Sequence, residues 1–375
     1  MTDVLLIQPP IRDFYLTAKR TIPYGLASMA AALQADGFTV TILDALANAK
    51  ARPRNWPQEM AYLRPYYGRA DRSPTALFHE YRHFGYSFEH IGRRAREIGA
   101  RLVGISALFT PYSAEALRTA AAVKTFHPHC TVVLGGHHAT AFSEEVLRHP
   151  AVDVVVRGEG EHALPMLARV LKGTGTDLEK VPGIAFQRAD GTLHISDPAQ
   201  VPDLDRLALP ASDLLSRRYY RRKGSGSAVI VTSRGCPLRC SFCCVGAGSH
   251  LSYRRRSIRS VMQEIEAAVV ATQAGFIDFE DETLAWDRGW FLALLQAISE
   301  RFKKNGPELR AMNGLYPPSL NAAVIGAMRA AGFKTINLSL GTSSLSQLKR
   351  FNRPDVREGF DLSLIHISEP TRLQV

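Results

Sequence analysis

The stretch Ser233-Arg-Gly-Cys-Pro-Leu-Arg-Cys-Ser-Phe-Cys243 places Cys236, Cys240 and Cys243 at C-x3-C-x2-C spacing, directly after the apolar run over 228–232. Three thiols on one loop predict a metal site. Iron-sulfur clusters are held by cysteine thiolates, and a cubane of four irons normally uses four of them. Three on the loop leave one iron open to a substrate or cofactor, so the spacing points to chemistry at the cluster rather than to electron carriage alone. The competing reading is a zinc knuckle completed by Cys244 or His250, because zinc also takes cysteine and histidine in fours. Zinc ligands usually come as two separated pairs, which this triple does not match. Cys244 and Cys130 read as buried thiols rather than ligands.

With Phe242 as the aromatic before the third cysteine, the loop resembles that of the radical S-adenosylmethionine (SAM) superfamily. The resemblance implies a 4Fe-4S cluster whose free iron chelates the amino and carboxylate groups of SAM. One electron, from a donor such as flavodoxin or ferredoxin, then cleaves the sulfonium to a 5'-deoxyadenosyl radical. Phe242 is expected among the SAM contacts.

A chain of 375 residues is long for one core and predicts two domains. Its 46% hydrophobic and 22% charged residues suit a globular protein. No apolar run approaches membrane-spanning length and no signal-peptide pattern opens the chain, so a cytoplasmic protein is expected. Five cysteines, three on one loop, make no disulfide framework. The net charge of +11 permits an anionic partner, and basic runs at 217–223 and 254–256 flank the cysteine loop. A solvated basic face is the simpler expectation and nucleic acid is not expected, because no RNA-binding motif accompanies the runs.

Ahead of the loop, strand and helix patterns alternate. Apolar runs at 3–8, 38–44, 102–106, 131–136 and 152–156 read as buried parallel strands. Helical patterns lie at 23–37, 114–126 and 143–147. Together they predict a doubly wound parallel sheet with right-handed crossovers over 1–180, interrupted by an insertion of loops and helix at about 45–99. Ligands of such sheets sit beyond the carboxyl ends of the strands, where Gln8, Pro9, Ser106, Thr110, Gly135, Gly136, His137, Gly158, Glu159, Gly160 and Glu161 fall. Residues 181–224, with a hairpin at 183–195, read as a linker.

Pro23-x-Gly-Leu-Ala27, Gly135-Gly-His-His-Ala-Thr140 and Val156-Arg-Gly-Glu-Gly-Glu161 resemble the cobalamin-binding domain that precedes many radical SAM cores. That resemblance implies cobalamin on this edge, with glycines letting the backbone approach the corrin. The Asp-x-His-x-x-Gly motif that ligates cobalt in other cobalamin proteins is absent, so neither His137 nor His138 is assigned as the cobalt ligand.

Over 225–361, strands at 228–232, 275–279, 309–312 and 334–340 alternate with helices at 257–272, 287–302 and 319–331. They predict the first part of a partial (β/α)6 barrel. In barrels functional residues gather at the carboxyl ends of strands. The resemblance puts Glu280 and Asp281, then Glu282, near the SAM amino group, and Asn313 and Ser339 among further SAM contacts. A glutamate often found on the later strand is replaced near Gly341.

Residues 362–372 read as a translated transposase-end sequencing adapter, so 362–375 is expected to be artefact and the core to be truncated near Asp361. The expectation from sequence is therefore a cobalamin-dependent radical SAM enzyme, most often a methyltransferase toward an unactivated carbon of a small molecule or natural product. Ring formation is also known in the class. The alternatives are a methylthiotransferase acting on RNA or protein, which would need a second set of N-terminal cysteines where only Cys130 precedes Cys236, and a zinc or nucleic-acid-binding module without catalysis.

Overall fold

The structure, a computed structural model, describes residues 2–15, 22–65, 80–175, 177–245 and 251–359. His250 and the adapter-like tail lie outside them. The chain divides into two compact units, Met1–Val201 with Leu214–Tyr219 and Pro202–Asp213 with Tyr220–Val375.

In the first unit the apolar runs become the parallel strands β1 (Val4–Gln8), β2 (Val40–Asp44), β3 (Leu102–Ser106), β4 (Thr131–Gly135) and β5 (Val154–Val156). Their order in the sheet is β2-β1-β3-β4-β5. The connecting helices include α1 (Tyr24–Ala35), α2 (Phe88–Ile98), α3 (Ser113–Phe126), α4 (His137–Ala141), α5 (Ser143–Leu147) and α6 (Gly160–Lys172). Leu5, Ile7, Ile105, Val132 and Leu134 are essentially inaccessible in one core with Ile91 of α2 and Val123 of α3. Each such side chain contributes about 1.5–3 kcal/mol. The chain reverses its progress across the sheet between β1 and β3, and at such a switch point the loops diverge and open a crevice at the carboxyl edge.

Two expectations need correction here. Although placed within the insertion at 45–99, α2 is the crossover helix from β2 to β3, capped by Ser87 on the His90 N–H and ended by Gly99. The hairpin β6 (Ile184–Gln187) and β7 (Leu193–Ile195) is not linker but extends the sheet antiparallel beyond β5. Between β2 and α2, Ala51–Pro53 and Arg82–Phe84 form an antiparallel ribbon with Ile11–Asp13.

The second unit carries the parallel strands β8 (Ser225–Ile230), β9 (Ala274–Phe279) and β10 (Glu308–Arg310). Helices α7 (Ile258–Thr272), α8 (Arg288–Phe302) and α9 (Ala322–Ala331) cover one face of this sheet. Strand alternation sends Ala228, Ile230, Ile277, Phe279 and Leu309 into that helical layer. The register partners Val229, Asp278 and Arg310 share the opposite face.

The strand expected at 334–340 keeps only the isolated bridge Leu315↔Leu338, with Leu309↔Phe333 just before it. Its would-be partner β10 stops at Arg310, and the chain turns at Gly314 with φ +91°, so no continuous ladder forms. Among the described residues no helix is long and apolar enough to cross a membrane.

Candidate functional site

The cysteine loop is tied down at its neck. Just past β8, Ser233–Arg234 pairs antiparallel with Arg254–Arg255, and the Arg256 N–H donates to Thr232 O at 2.9 Å. At Gly235, φ is +80° and a Cβ would lie 2.6 Å from Ser252 O, so glycine is required where the two sides of the neck meet.

Beneath the neck lies Asp281, 2% exposed. Its carboxylate accepts from the Thr232 N–H at 3.0 and 3.2 Å, from Thr232 Oγ1 at 2.7 Å and from Ser233 Oγ at 2.6 Å. Burial pushes this carboxyl above its usual range while those donors pull the other way. Asp281, expected to receive the SAM ammonium, has its oxygens engaged by the loop in this structure.

Of the other two acids, Glu280 is half-buried and Glu282 is exposed. Glu282 lies close enough to Cys236 and Cys244 to raise both thiols. Asn313 donates from Nδ2 to Glu280 O at 3.0 Å, so two of the expected SAM contacts do meet. Ser339 lies against the segment that follows Asn313, its N–H donating to Leu315 O at 3.1 Å, and its hydroxyl and carbonyl accept from Arg353.

The tip of the loop is held by a second segment, just after α10 (Leu345–Arg350). The Ser241 N–H donates to Phe351 O at 2.9 Å, Asn352 Nδ2 donates to Arg239 O at 3.0 Å, and the Phe242 and Phe351 rings meet edge-on at 5.3 Å. Residues 351–353 were not singled out in the sequence. A side chain that ends on a backbone carbonyl over a hundred positions away leaves no local pattern.

Cys240 is buried, Cys236 and Cys243 are partly buried, and Cys244 is exposed, which corrects the expectation for Cys244. Cys130 is buried in the other unit, where its thiol donates to His127 O and burial pushes it up to about 11. Burial also raises the Cys236 thiol, and Cys243, Glu282 and Cys240 add to the effect. Three cysteines on one loop fit a cationic iron-sulfide core, whose charge would offset the repulsion among their thiolates. Among the described residues, no three His, Cys, Asp or Glu side chains are gathered around a single-ion position.

Several of the flanking arginines are engaged within the second unit. Arg256 pairs with Glu264 below the surface, Arg255 reaches Asp287 and lies over the Trp290 ring, and Arg222 lies over Phe276.

In the first unit, Ser106 and Gly135 are register partners at the carboxyl edge. The Ala107 N–H donates to Gly135 O at 2.7 Å. Gly136, with φ +118°, lies so near that a Cβ would be 2.8 Å from Ala107 O. Gln8 is half-buried and Pro9 buried, while Thr110 and His137 are exposed. His138 is buried instead, with Nδ1 3.2 Å from Thr110 Oγ1. Leu108, Phe109 and Phe142 give this edge exposed apolar surface.

Three expected contacts face elsewhere. Glu159 accepts from the Val201 N–H at 2.6 Å, Gly158 forms a parallel bridge with Ala199, and a Cβ on Gly160 would lie 2.8 Å from Met29 Sδ. All three contact the protein itself at the junction of strand, helix and the 199–201 segment. Glu161 is likewise buried, in the first turn of α6.

Comparison with known proteins matches residues 75–168 to the B12 binding domain and residues 230–360 to the radical SAM superfamily. An uncharacterized methyltransferase of Pyrococcus horikoshii is 27% identical over 260 residues, 69% of this chain and 55% of that protein. The anaerobic magnesium-protoporphyrin IX monomethyl ester cyclase of Rubrivivax gelatinosus is 31% identical over 303 residues, 79% of this chain and 53% of that protein. The chain thus spans about half the length of these curated relatives. Among solved structures, the radical SAM methyltransferase TsrM of Kitasatospora setae, with cobalamin and a [4Fe-4S] cluster bound, superposes with a TM-score of 0.69. It is 18% identical, with 98% of this chain and 68% of that one covered, and shows a shared fold.

Proposed function

Because the chain belongs to the radical SAM superfamily and carries a B12 binding domain ahead of its radical SAM domain, we propose that it takes part in cobalamin-dependent methyl transfer to an unactivated carbon of a small molecule. The observation that carries this reading is the loop of Cys236, Cys240 and Cys243, fixed at its neck by Asp281 and at its tip by Phe351 and Asn352. Three thiolates on a braced loop suit a cluster with one open iron.

When bound, the cluster with SAM supplies a carbon radical able to remove a substrate hydrogen, and methylcobalamin supplies the methyl group; the electron comes from a carrier of flavodoxin or ferredoxin type. The protein's part is to place and shield these groups. In this reading Cys236, Cys240 and Cys243 hold the cluster. Glu282 and Glu280, at the end of β9, offer negative charge to the SAM ammonium, with Asn313 holding the Glu280 backbone in place. Phe242 presents a partly exposed ring from the loop tip. In the first unit, the backbone at Gly135 and Gly136 and the apolar Leu108, Phe109 and Phe142 form a surface suited to a corrin, and Ser106 and Thr110 offer hydroxyls beside it.

Substitution at Gly136 separates the two cofactor sites. Gly136→Ala forces a side chain against Ala107 O at a positive φ, at a cost of about 1–3 kcal/mol. We expect the variant to retain much less hydroxocobalamin than wild type after gel filtration, with unchanged iron content after anaerobic reconstitution. Equal corrin retention would contradict a corrin on this edge.

A second reading, radical ring closure, is favoured by the 31% identity to the cyclase. Product analysis distinguishes the two: methyl transfer adds the label of methyl-labelled SAM to product, and ring closure does not.

A further inference from the structure

Arg353 reaches the cysteine loop from the segment that holds its tip. Its Nη1 lies 3.8 Å from Cys240 Sγ, within hydrogen-bonding range for the larger sulfur atom. Its Nη2 donates to both the carbonyl and the hydroxyl of Ser339, each at 2.9 Å. The guanidinium is thus anchored at one end and presented to the thiol at the other, while its buried Nε has no hydrogen-bond partner. Room for it comes from Gly341, where a Cβ would lie 2.8 Å from that Nε. The Ser241 N–H to Phe351 O bond and the Asn352 Nδ2 to Arg239 O bond fix the distance between the two segments, which sets the approach of Arg353 to the sulfur.

We propose that Arg353 is a positioning residue for the cluster: it donates a charge-assisted hydrogen bond to the Cys240 thiolate and raises the reduction potential of the cluster that thiolate holds. The inference rests on the cluster assignment above. Hydrogen bonds to ligating sulfur and nearby positive charge both favour the reduced, more negative state of an iron-sulfur cluster. A guanidinium fits this role because it stays charged and offers several donors in one plane, so it can bond Ser339 and Cys240 together. Arg353 therefore eases the one-electron reduction that precedes SAM cleavage, without touching SAM itself.

The test uses the full chain, reconstituted anaerobically with iron and sulfide and without SAM. Midpoint potentials are read from electron paramagnetic resonance intensity at a series of poised potentials, for wild type, Arg353→Gln and Arg353→Lys. The expected result is a more negative midpoint in Arg353→Gln at unchanged iron content, with Arg353→Lys between the two. Wild-type midpoints in both variants would overturn the inference. If Arg353→Gln takes up no iron, the midpoint of Arg353→Lys decides by the same criterion. A wild-type chain that takes up no iron overturns the cluster assignment and this inference with it; iron in wild type with equal midpoints overturns the inference alone.

Discussion

Asp281→Ala is expected to destabilise the second unit by about 3–5 kcal/mol and to abolish iron uptake. Its carboxylate is 2% exposed and accepts from one backbone N–H and two hydroxyls, all at the neck of the cysteine loop. Truncation leaves those donors buried without acceptors, at about 1–3 kcal/mol each, and opens a cavity at the neck. The neck then loses the contact that fixes Thr232 and Ser233 to the end of β9. Glu282→Gln, by contrast, changes an exposed side chain and should stay within about 0.5 kcal/mol of wild type. Denaturant unfolding of the two variants, with the slope checked for constancy, measures the contrast. Equal stabilities would return Asp281 to the ligand-contact role expected from sequence.

The second large effect is at the cysteines. Cys240→Ala should lower bound iron by about tenfold or more, because the two remaining thiolates cannot hold a cubane that already has one iron open. Cys244→Ala should leave iron content unchanged, since that thiol is exposed beyond the braced part of the loop. A zinc knuckle completed by Cys244 makes the opposite prediction: both substitutions would remove metal about equally, and the metal would be zinc. Metal analysis of the two variants therefore separates the readings without an activity assay.

The parallel sheet of the first unit was legible because both of its faces are covered, which leaves short, nearly continuous apolar runs such as Val4–Gln8 and Leu102–Ser106. The sequence placed a helix in this region without bounds, because Phe88–Ile98 buries only Ile91, Gly92 and Ala95 and carries the charged Glu89, Arg93, Arg94, Arg96 and Glu97 on the rest of its surface. A helix with so thin an apolar stripe resembles surface loop in composition. In the second unit, C-x3-C-x2-C identified the loop but not what braces it. Thr232, Ser233, Asp281, Phe351 and Asn352 are joined across long sequence separations, and their hydrogen bonds carry no periodic signal.

Proximity at a strand end does not fix a shared orientation. Glu280, Asp281 and Glu282 are consecutive, yet one is half-buried, one buried and one exposed. Adjacent side chains leave a strand end in opposite directions, so three neighbouring carboxylates cannot share one task. Gly158 and Glu159 illustrate the same limit in the first unit, where a glycine-rich strand end proved to pack against the 199–201 segment. Glycine marks close approach in either case, and only the fold tells whether backbone or ligand is what approaches.

The central claim is that three cysteines hold a cluster whose fourth iron is open to SAM. It is tested most directly by electron paramagnetic resonance of the anaerobically reconstituted, chemically reduced chain, recorded before and after addition of SAM. The account predicts a signal of a reduced 4Fe-4S cluster whose g-values shift when SAM is added, in wild type and in Cys244→Ala alike. A cluster signal that SAM leaves unchanged would contradict the open iron, and a chain that binds zinc but no iron would contradict the cluster itself.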